Sequence, residues 1–400
     1  MTRSIFDAVT LAPRDPILGL TEAYVADTRP NKVNLGVGVY YDDNGKLPLL
    51  NCIKKAEEIR IANAPARGYQ PIEGAAAYNQ AVAGLLFGAD SPLIADKRVI
   101  TIETLGGTGA LKVGADYLHR LLPGAKVAIS DPSWENHRAL FEMAGFDVLQ
   151  YSYYDPSTRG VDFDGMVKSL SSMAPGTIVV LHACCHNPTG ADLTPAQWDQ
   201  VIALTAEKGL VPFLDMAYQG FGDGIDADAF ALRQYVASGQ TLFVSSSFSK
   251  SFSLYGERVG ALSIVTQNAD ETARVLSQVK RTIRTNYSNP PTHGGAVVAM
   301  VLATPDLRQM WEGELAQMRE RIKAMRQGLA DGLKAQGVAQ DFGFVTSQRG
   351  MFSYTGLSQA QVDRLREEFA VYAIGTGRVC IAALNSHNLP YVCQSIAAVL

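Results

Sequence analysis

Residues 241–250, TLFVSSSFSK, carry the pattern that decides the fold: an apolar, β-branched run that ends abruptly in a polar cluster. The same arrangement recurs along the middle of the chain. Apolar runs occupy Val99 to Ile102, Lys126 to Ile129, Thr177 to Leu181, Leu210 to Leu214, Thr241 to Val244 and Ala261 to Val265, with helical stretches between them. Near-continuous apolar strands alternating with helices predict an α/β fold with a mostly parallel sheet covered on both faces. GGTGALK follows the first run, DPSWENH the second, HNPTG the third, DMAYQGF the fourth and SSSFSK the fifth. Ligands bind beyond the carboxyl ends of strands in open α/β sheets, so these five clusters are expected to converge on one site.

The C-terminal third changes character. Residues 306–336 are rich in Glu, Arg, Met and Leu at helical spacing and predict one or two long helices. Strand candidates follow at Phe342 to Thr346, Met351 to Tyr354 and Val379 to Ala382, with a helix over Ser358 to Phe369. This reads as a smaller α+β domain, which residues 16–48 are expected to join. The expected division is an N-terminal arm over 1–15, a large domain over 49–312, and a small domain built from 16–48 and 313–400.

Bulk properties narrow the function. The hydrophobic content of 47% and charged content of 18% are ordinary for a globular enzyme. A net charge of -4 gives no reason to expect nucleic acid or an anionic membrane as partner. No signal-peptide core opens the chain, and apolar runs such as Ala296 to Ala303 are far shorter than a membrane span. Five cysteines in 400 residues do not form a disulfide framework, so a reduced, cytoplasmic protein is expected.

Each cluster offers a chemical reading beside a structural one. Lys250 ends an apolar strand among Ser247, Phe248, Ser249, Ser251 and Phe252. Desolvation there would lower its pKa, as a Schiff-base former needs, although a strand-end lysine can also simply snorkel. Arg258, in LYGERVG, could supply the fixed charge that a phosphate requires. Asp215 could keep a pyridine nitrogen protonated, with Tyr218 donating to the ring's phenolic oxygen, or it could be a helix N-cap. GGTGALK, with Gly107 and Thr108, opens a helix after a strand and could cradle phosphate or be a plain turn. It matches neither the dinucleotide fingerprint nor the Walker sequence. His182, Cys184 and His186 alternate and would share one face of a strand, which raises zinc, but no fourth ligand stands at a metal-site spacing and no metal is expected. Asn187 sits in a turn that presents its side chain at a strand end. Arg378 and Arg284 suit carboxylate recognition or structural ion pairs, and Trp134 either stacks on a flat ring or belongs to the core.

Taken together, SFSKSFSLYGERVG, DMAYQGFGDG, HNPTG, LGGTGALK and NYSNPP resemble the class I aminotransferases of the aspartate/aromatic-amino-acid (tyrosine) subgroup. The resemblance runs end to end, from APRDPILGL and VNLGVGVY to RGMFSYTGL and GTGRVCIAAL. It implies the fold type I architecture of pyridoxal-phosphate enzymes, with a mostly parallel seven-stranded sheet and a homodimer that shares its two active sites. It implies that Lys250 is the Schiff-base lysine and then the proton shuttle, that Asp215 pairs with the pyridine nitrogen, and that Tyr218 and Asn187 contact the phenolic oxygen. Trp134 would stack on the ring. Gly107, Thr108, Ser247 and Arg258 would bind the phosphate, joined by Tyr69 from the partner subunit. Arg378 would hold the α-carboxylate, Gly38 would touch the substrate, and Arg284 from the partner subunit would meet a distal carboxylate. His137 and His182 would support Asp215.

The implied activity is ping-pong transamination of tyrosine, phenylalanine and tryptophan, and of aspartate or glutamate, with 2-oxoglutarate or oxaloacetate. A strict aspartate aminotransferase is the nearest alternative, because a pocket discriminates apolar side chains by only about 1–3 kcal/mol. Elimination or decarboxylation on the same cofactor fits less well with two carboxylate-binding arginines. A catalytically silent, DNA-binding relative would need a basic helix-turn-helix extension, whereas the resemblance uses the whole acidic chain.

Overall fold

A computed structural model describes residues 4–12 and 17–400; of the N-terminal arm expected over 1–15, residues 1–3 and 13–15 lie outside the described residues. Seven strands form the central sheet: Val99–Leu105 (β1), Val127–Asp131 (β2), Val148–Ser152 (β3), Ile178–His182 (β4), Val211–Met216 (β5), Leu242–Ser247 (β6) and Val259–Val265 (β7). Their order is β1-β7-β6-β5-β4-β2-β3, and every pairing is parallel except the two made by β7. All residues of β4, β6 and β7 are buried, which explains why these strands read as unbroken apolar runs.

The two faces feed two cores by strict alternation. Ile178 and Val180 of β4 enter one cluster with Phe213, Phe243, Leu262 and the helix Gly106–Leu121. Val179 and Leu181 enter the other, with Leu214, Val244 and residues of the helices Pro195–Lys208 and His293–Ala303. With both faces sealed, polar side chains gather where the strands end. The register sets His182, Asp215 and Ser245 side by side across β4, β5 and β6.

Three differences from the sequence reading have local causes. β3 was not among the apolar runs because it is the edge strand: Leu149 and Gln150 face solvent, and Gln150 and Ser152 break the apolar pattern. Residues 342–346 are not a strand; a helical turn covers Phe344–Ser347. There the Asp341 carboxylate accepts from the Gly343 amide at 2.7 Å, and the buried Arg326 donates to the Val345 carbonyl at 3.0 Å, so turn chemistry outweighs β-propensity. Likewise the alternation of His182, Cys184 and His186 does not continue along β4, which stops at His182, and Cys185 takes a φ of 52°. All five cysteines are buried and free.

A single helix of 31 residues, Pro305–Ala335, accounts for the long periodic stretch. Thr304 and Pro305 start it, and Leu307, Trp311, Leu315, Met318, Ile322, Leu329 and Leu333 form its buried stripe. Beyond it, Phe352–Tyr354 pairs with Arg378–Cys380, and Val33–Asn34 pairs in parallel with Val371–Tyr372. The last pairing is what brings the segment after residue 17 back to the C-terminal third. Among the described residues no helix is long and apolar enough to cross a membrane.

β7 approaches the turn after β1 so closely that only glycine fits at its second position. A Cβ at Gly260 would lie 2.4 Å from the Gly106 carbonyl carbon and 2.7 Å from the Gly107 nitrogen, both backbone atoms. We therefore expect Gly260→Ala to cost about 1–3 kcal/mol through forced backbone displacement. Denaturant unfolding should show a lower midpoint with an unchanged m-value; an unchanged midpoint would contradict the packing described.

Candidate active site

A cavity of about 280 Å³ opens at the C-terminal edge of the sheet. It is lined by Gly38, Gly107, Thr108, Trp134, His182, Asn187, Asp215, Tyr218, Ser247, Lys250, Arg258 and Arg378, so the strand-end clusters do converge.

Asp215 is the penultimate residue of β5, not a helix cap, and it is buried at 4% exposure. His137 Nε2 lies 3.0 Å from its carboxylate, and His137 Nδ1 lies 2.9 Å from the Ser133 hydroxyl. A carboxylate only accepts, so Nε2 carries the proton in that bond. Burial alone would push the Asp215 carboxyl up. The His137 hydrogen bond, helped by the charge of Lys250, outweighs it and leaves Asp215 below the usual carboxylate value, hence ionised. His182 sits beside this pair, its ring 5.0 Å from that of His137. Burial and the neighbouring His137 push its pKa down to about 3, against the pull of Asp215, so it is neutral. Its Nδ1 is buried without a hydrogen-bond partner.

Lys250 follows β6, and its Nζ lies 4.8 Å from the centre of the Tyr218 ring. Lys250 is part-buried and lines the cavity. Burial lowers its pKa from 10.5 to about 8; Asp215 opposes this and Arg258 reinforces it. The site thus pairs an anionic carboxylate with an amine that is readily neutral, two groups set apart by their environments.

One end of the cavity is built from the turn between β1 and the helix Gly106–Leu121, together with the loop before β7. Gly106 has a φ of 69°, and a Cβ there would lie 2.6 Å from an Arg258 terminal nitrogen. A Cβ on Gly107 would press to 3.1 Å from Ser247 Cβ. Arg258 NH1 donates to Ser249 Oγ at 3.2 Å and to the Tyr255 carbonyl at 2.9 Å.

At the opposite end Arg378, 1% exposed, lies over the Phe352 ring at 4.3 Å. Its NH1 donates to Asn187 Oδ1 at 3.1 Å and its NH2 to the Gly36 carbonyl at 2.7 Å, while Nε is buried without a partner. Asn187 Nδ2 in turn donates to the Tyr218 hydroxyl at 3.4 Å. His186 fixes this loop: it lies 2.9 Å from Ser130 Oγ and 2.8 Å from Thr189 Oγ1, and stacks on Tyr153 at 3.9 Å. Trp134 is half-buried on the cavity wall, edge-on to His137 at 5.2 Å.

Two candidates lie outside this cavity. Tyr69 is 97% exposed, and Arg284 is exposed at the end of the helix Ala269–Asn286, where it hydrogen-bonds Ser288. His137 stands behind Asp215 rather than in the lining. The sequence reading did not single out Tyr255, Phe352, Val37 or Val39, all of which line the cavity. Tyr255 lies within the Lys250–Arg258 stretch, and that proximity was the available signal; Phe352 comes from a distant strand and gave none.

Fold and site together define a ligand-dependent α/β enzyme of the aminotransferase type. Residues 30–396 match the family model for aminotransferases of class I and II, and the chain belongs to that family. It is 62% identical to an aspartate aminotransferase of Pseudomonas aeruginosa, over 99% of this chain and 100% of that one. It is 51% identical to an aromatic-amino-acid aminotransferase of Escherichia coli strain K12, again over 99% and 100%. The structure superposes with a TM-score of 0.98 on the aromatic-amino-acid aminotransferase of Burkholderia pseudomallei covalently bound to pyridoxal phosphate, at 66% identity and with full coverage of both chains.

The Lys250 shift has a measurable consequence. Its folded pKa lies below its unfolded one, so between about pH 8 and 10.5 the unfolded chain holds more protons. Stability assigned to this group is therefore depressed below about pH 8 and recovers as pH rises through that window. In cofactor-free protein, the stability difference between wild type and Lys250→Met should move in favour of wild type by roughly 2–3 kcal/mol between about pH 7.5 and 10.5. A difference that stays flat across the window would show that the amine is not desolvated.

Proposed function

We propose that this aminotransferase acts on aromatic amino acids and on aspartate or glutamate, with pyridoxal phosphate bound at the strand-end cavity and 2-oxoglutarate or oxaloacetate as acceptor. One observation carries the reading: a readily neutral amine, Lys250, shares one cavity with an ionised carboxylate, Asp215. The cofactor fits the residues present. The glycine cradle at 106 and 107 and the Arg258 guanidinium suit a phosphate, and the unpartnered His182 Nδ1 and Arg378 Nε offer polar contacts that nothing in the chain uses. When bound, pyridoxal phosphate supplies an aldehyde and an electron-accepting ring that makes a substrate Cα–H acidic.

Within this reading Lys250 would hold the cofactor, and its amine, once free, would move a proton at the substrate Cα. Asp215, held ionised by His137, keeps a proton on the pyridine nitrogen. Tyr218 and Asn187 hold the phenolic oxygen, and Trp134 covers the ring face. Gly107, Thr108, Ser247 and Arg258 bind the phosphate. Arg378 grips the α-carboxylate in a pocket where burial strengthens the ion pair, and Gly38 leaves room for the substrate. Water is kept out by Val37, Val39 and Phe352.

Tyr69 and Arg284, both exposed in the single chain, are assigned to the partner's site in a homodimer: Tyr69 to phosphate and Arg284 to a distal carboxylate. The division into an arm (1–15), a large domain (49–312) and a small domain (16–48 and 313–400) is retained, with the second boundary running through the helix Pro305–Ala335. A cytoplasmic location accords with five free cysteines.

The aromatic preference is supported by the apolar wall of Val37, Val39, Leu111, Trp134 and Phe352. We expect kcat/KM for phenylalanine and tyrosine with 2-oxoglutarate to lie within about tenfold of that for aspartate. A preference for aspartate above about 200-fold would point to a strict aspartate enzyme instead. Lys250→Ala should lose nearly all turnover with every donor; retained wild-type rates would refute the assignment.

A further inference from the structure

The segment from Leu35 to Tyr41 crosses the mouth of the cavity and contributes Val37, Gly38 and Val39 to its lining. On one side it is tied to the C-terminal third. The Cys380 amide donates to the Leu35 carbonyl at 2.8 Å, the Tyr41 amide to the Ala382 carbonyl at 3.1 Å, and Arg378 to the Gly36 carbonyl at 2.7 Å. On the other side it meets the loop after Lys250 through a single side chain: the Tyr40 amide donates to the Tyr255 hydroxyl oxygen at 2.9 Å. Ser253 adds a separate tether further along, donating to the Pro48 carbonyl at 2.6 Å.

Tyr255 touches the anion-binding end as well. It opens the one-turn helix Tyr255–Glu257, which delivers Arg258 at a φ of 54°. Its carbonyl accepts from Arg258 NH1, the same nitrogen that donates to Ser249. One residue therefore holds the guanidinium with its backbone and the strap with its hydroxyl. We propose that Tyr255 is a positioning residue that couples anion binding at Arg258 to closure of the Leu35–Tyr41 strap over the substrate.

This rests on the reading above that Arg258 meets a phosphate. An anion that fixes the guanidinium also fixes the carbonyl it donates to, and with it the turn that orients the Tyr255 ring. The hydroxyl then stays in place as acceptor for the Tyr40 amide. Tyr40 itself is buried, so its amide has a strong requirement for that acceptor. The strap also carries the carbonyl bound by Arg378, so a loosened Tyr40 would disturb the α-carboxylate pocket without touching the reacting atoms.

Tyr255→Phe keeps the ring and removes only the acceptor. The test is hydrogen exchange at the Tyr40 amide in the full chain stripped of cofactor, with and without saturating inorganic phosphate, alongside steady-state kinetics of the cofactor-loaded enzyme. Phosphate should slow wild-type exchange by about fivefold or more, whereas Tyr255→Phe should exchange faster and ignore phosphate. Ser253→Ala, which cuts only the Pro48 tether, should respond to phosphate as wild type does. In turnover, Tyr255→Phe should raise KM for the amino acid by about fivefold to tenfold with kcat within about twofold, and, because coupling is reciprocal, should weaken phosphate binding by no more than the factor by which phosphate slows wild-type exchange. Equal phosphate slowing in wild type and Tyr255→Phe, or none in wild type, would overturn the coupling. So would a fall in kcat at unchanged KM, since that would mean direct contact with the reacting groups. Absence of transamination by the wild type would instead sink the functional reading and leave the exchange response to decide this one.

Discussion

Burying a mostly parallel sheet on both faces leaves its strand ends as the place where polar chemistry can be built. Helices seal each side of this sheet, and residues along β4, β6 and β7 have no solvent to face. The carboxylate, imidazoles and amine of this site are set where strands stop and loops turn. The register then does the positioning: His182 and Asp215 are neighbours because β4 and β5 are paired in that frame.

The same burial tunes the groups it gathers. Desolvation acts in one direction on Lys250 and His182, pulling both toward neutrality, and in the opposite sense on Asp215, where it would neutralise the carboxyl. His137 decides the matter for Asp215 by hydrogen-bonding its charged form. An ionised acid and a neutral-leaning amine thus coexist within one cavity. That difference is what proton movement at a substrate carbon requires.

The fold class was legible because buried strands are written in unbroken β-branched runs. The edge strand β3 was not, since at the sheet edge it carries the polar Gln150 and Ser152, which interrupt the apolar pattern. The turn at Phe344–Ser347 was misread because its structure depends on Asp341 and on Arg326, a helix away, rather than on its own apolar residues. Within the site, Lys250, Asp215, Asn187 and Arg258 could be picked out by their position after strands. His137 was found through resemblance alone; the bond that makes it matter spans 78 positions in the chain. Tyr255 and Phe352 were missed for a related reason. Their roles lie in contacts with Tyr40 and Arg378, which no local pattern encodes.

Everything in this account turns on Lys250 as the amine that meets the cofactor. The direct measurement is to load purified protein with pyridoxal phosphate, reduce it with borohydride, digest it and locate the added mass by peptide sequencing. One pyridoxyl phosphate per chain on the peptide that contains Lys250 is the predicted result. A label on any other lysine, or no label at all, would contradict it.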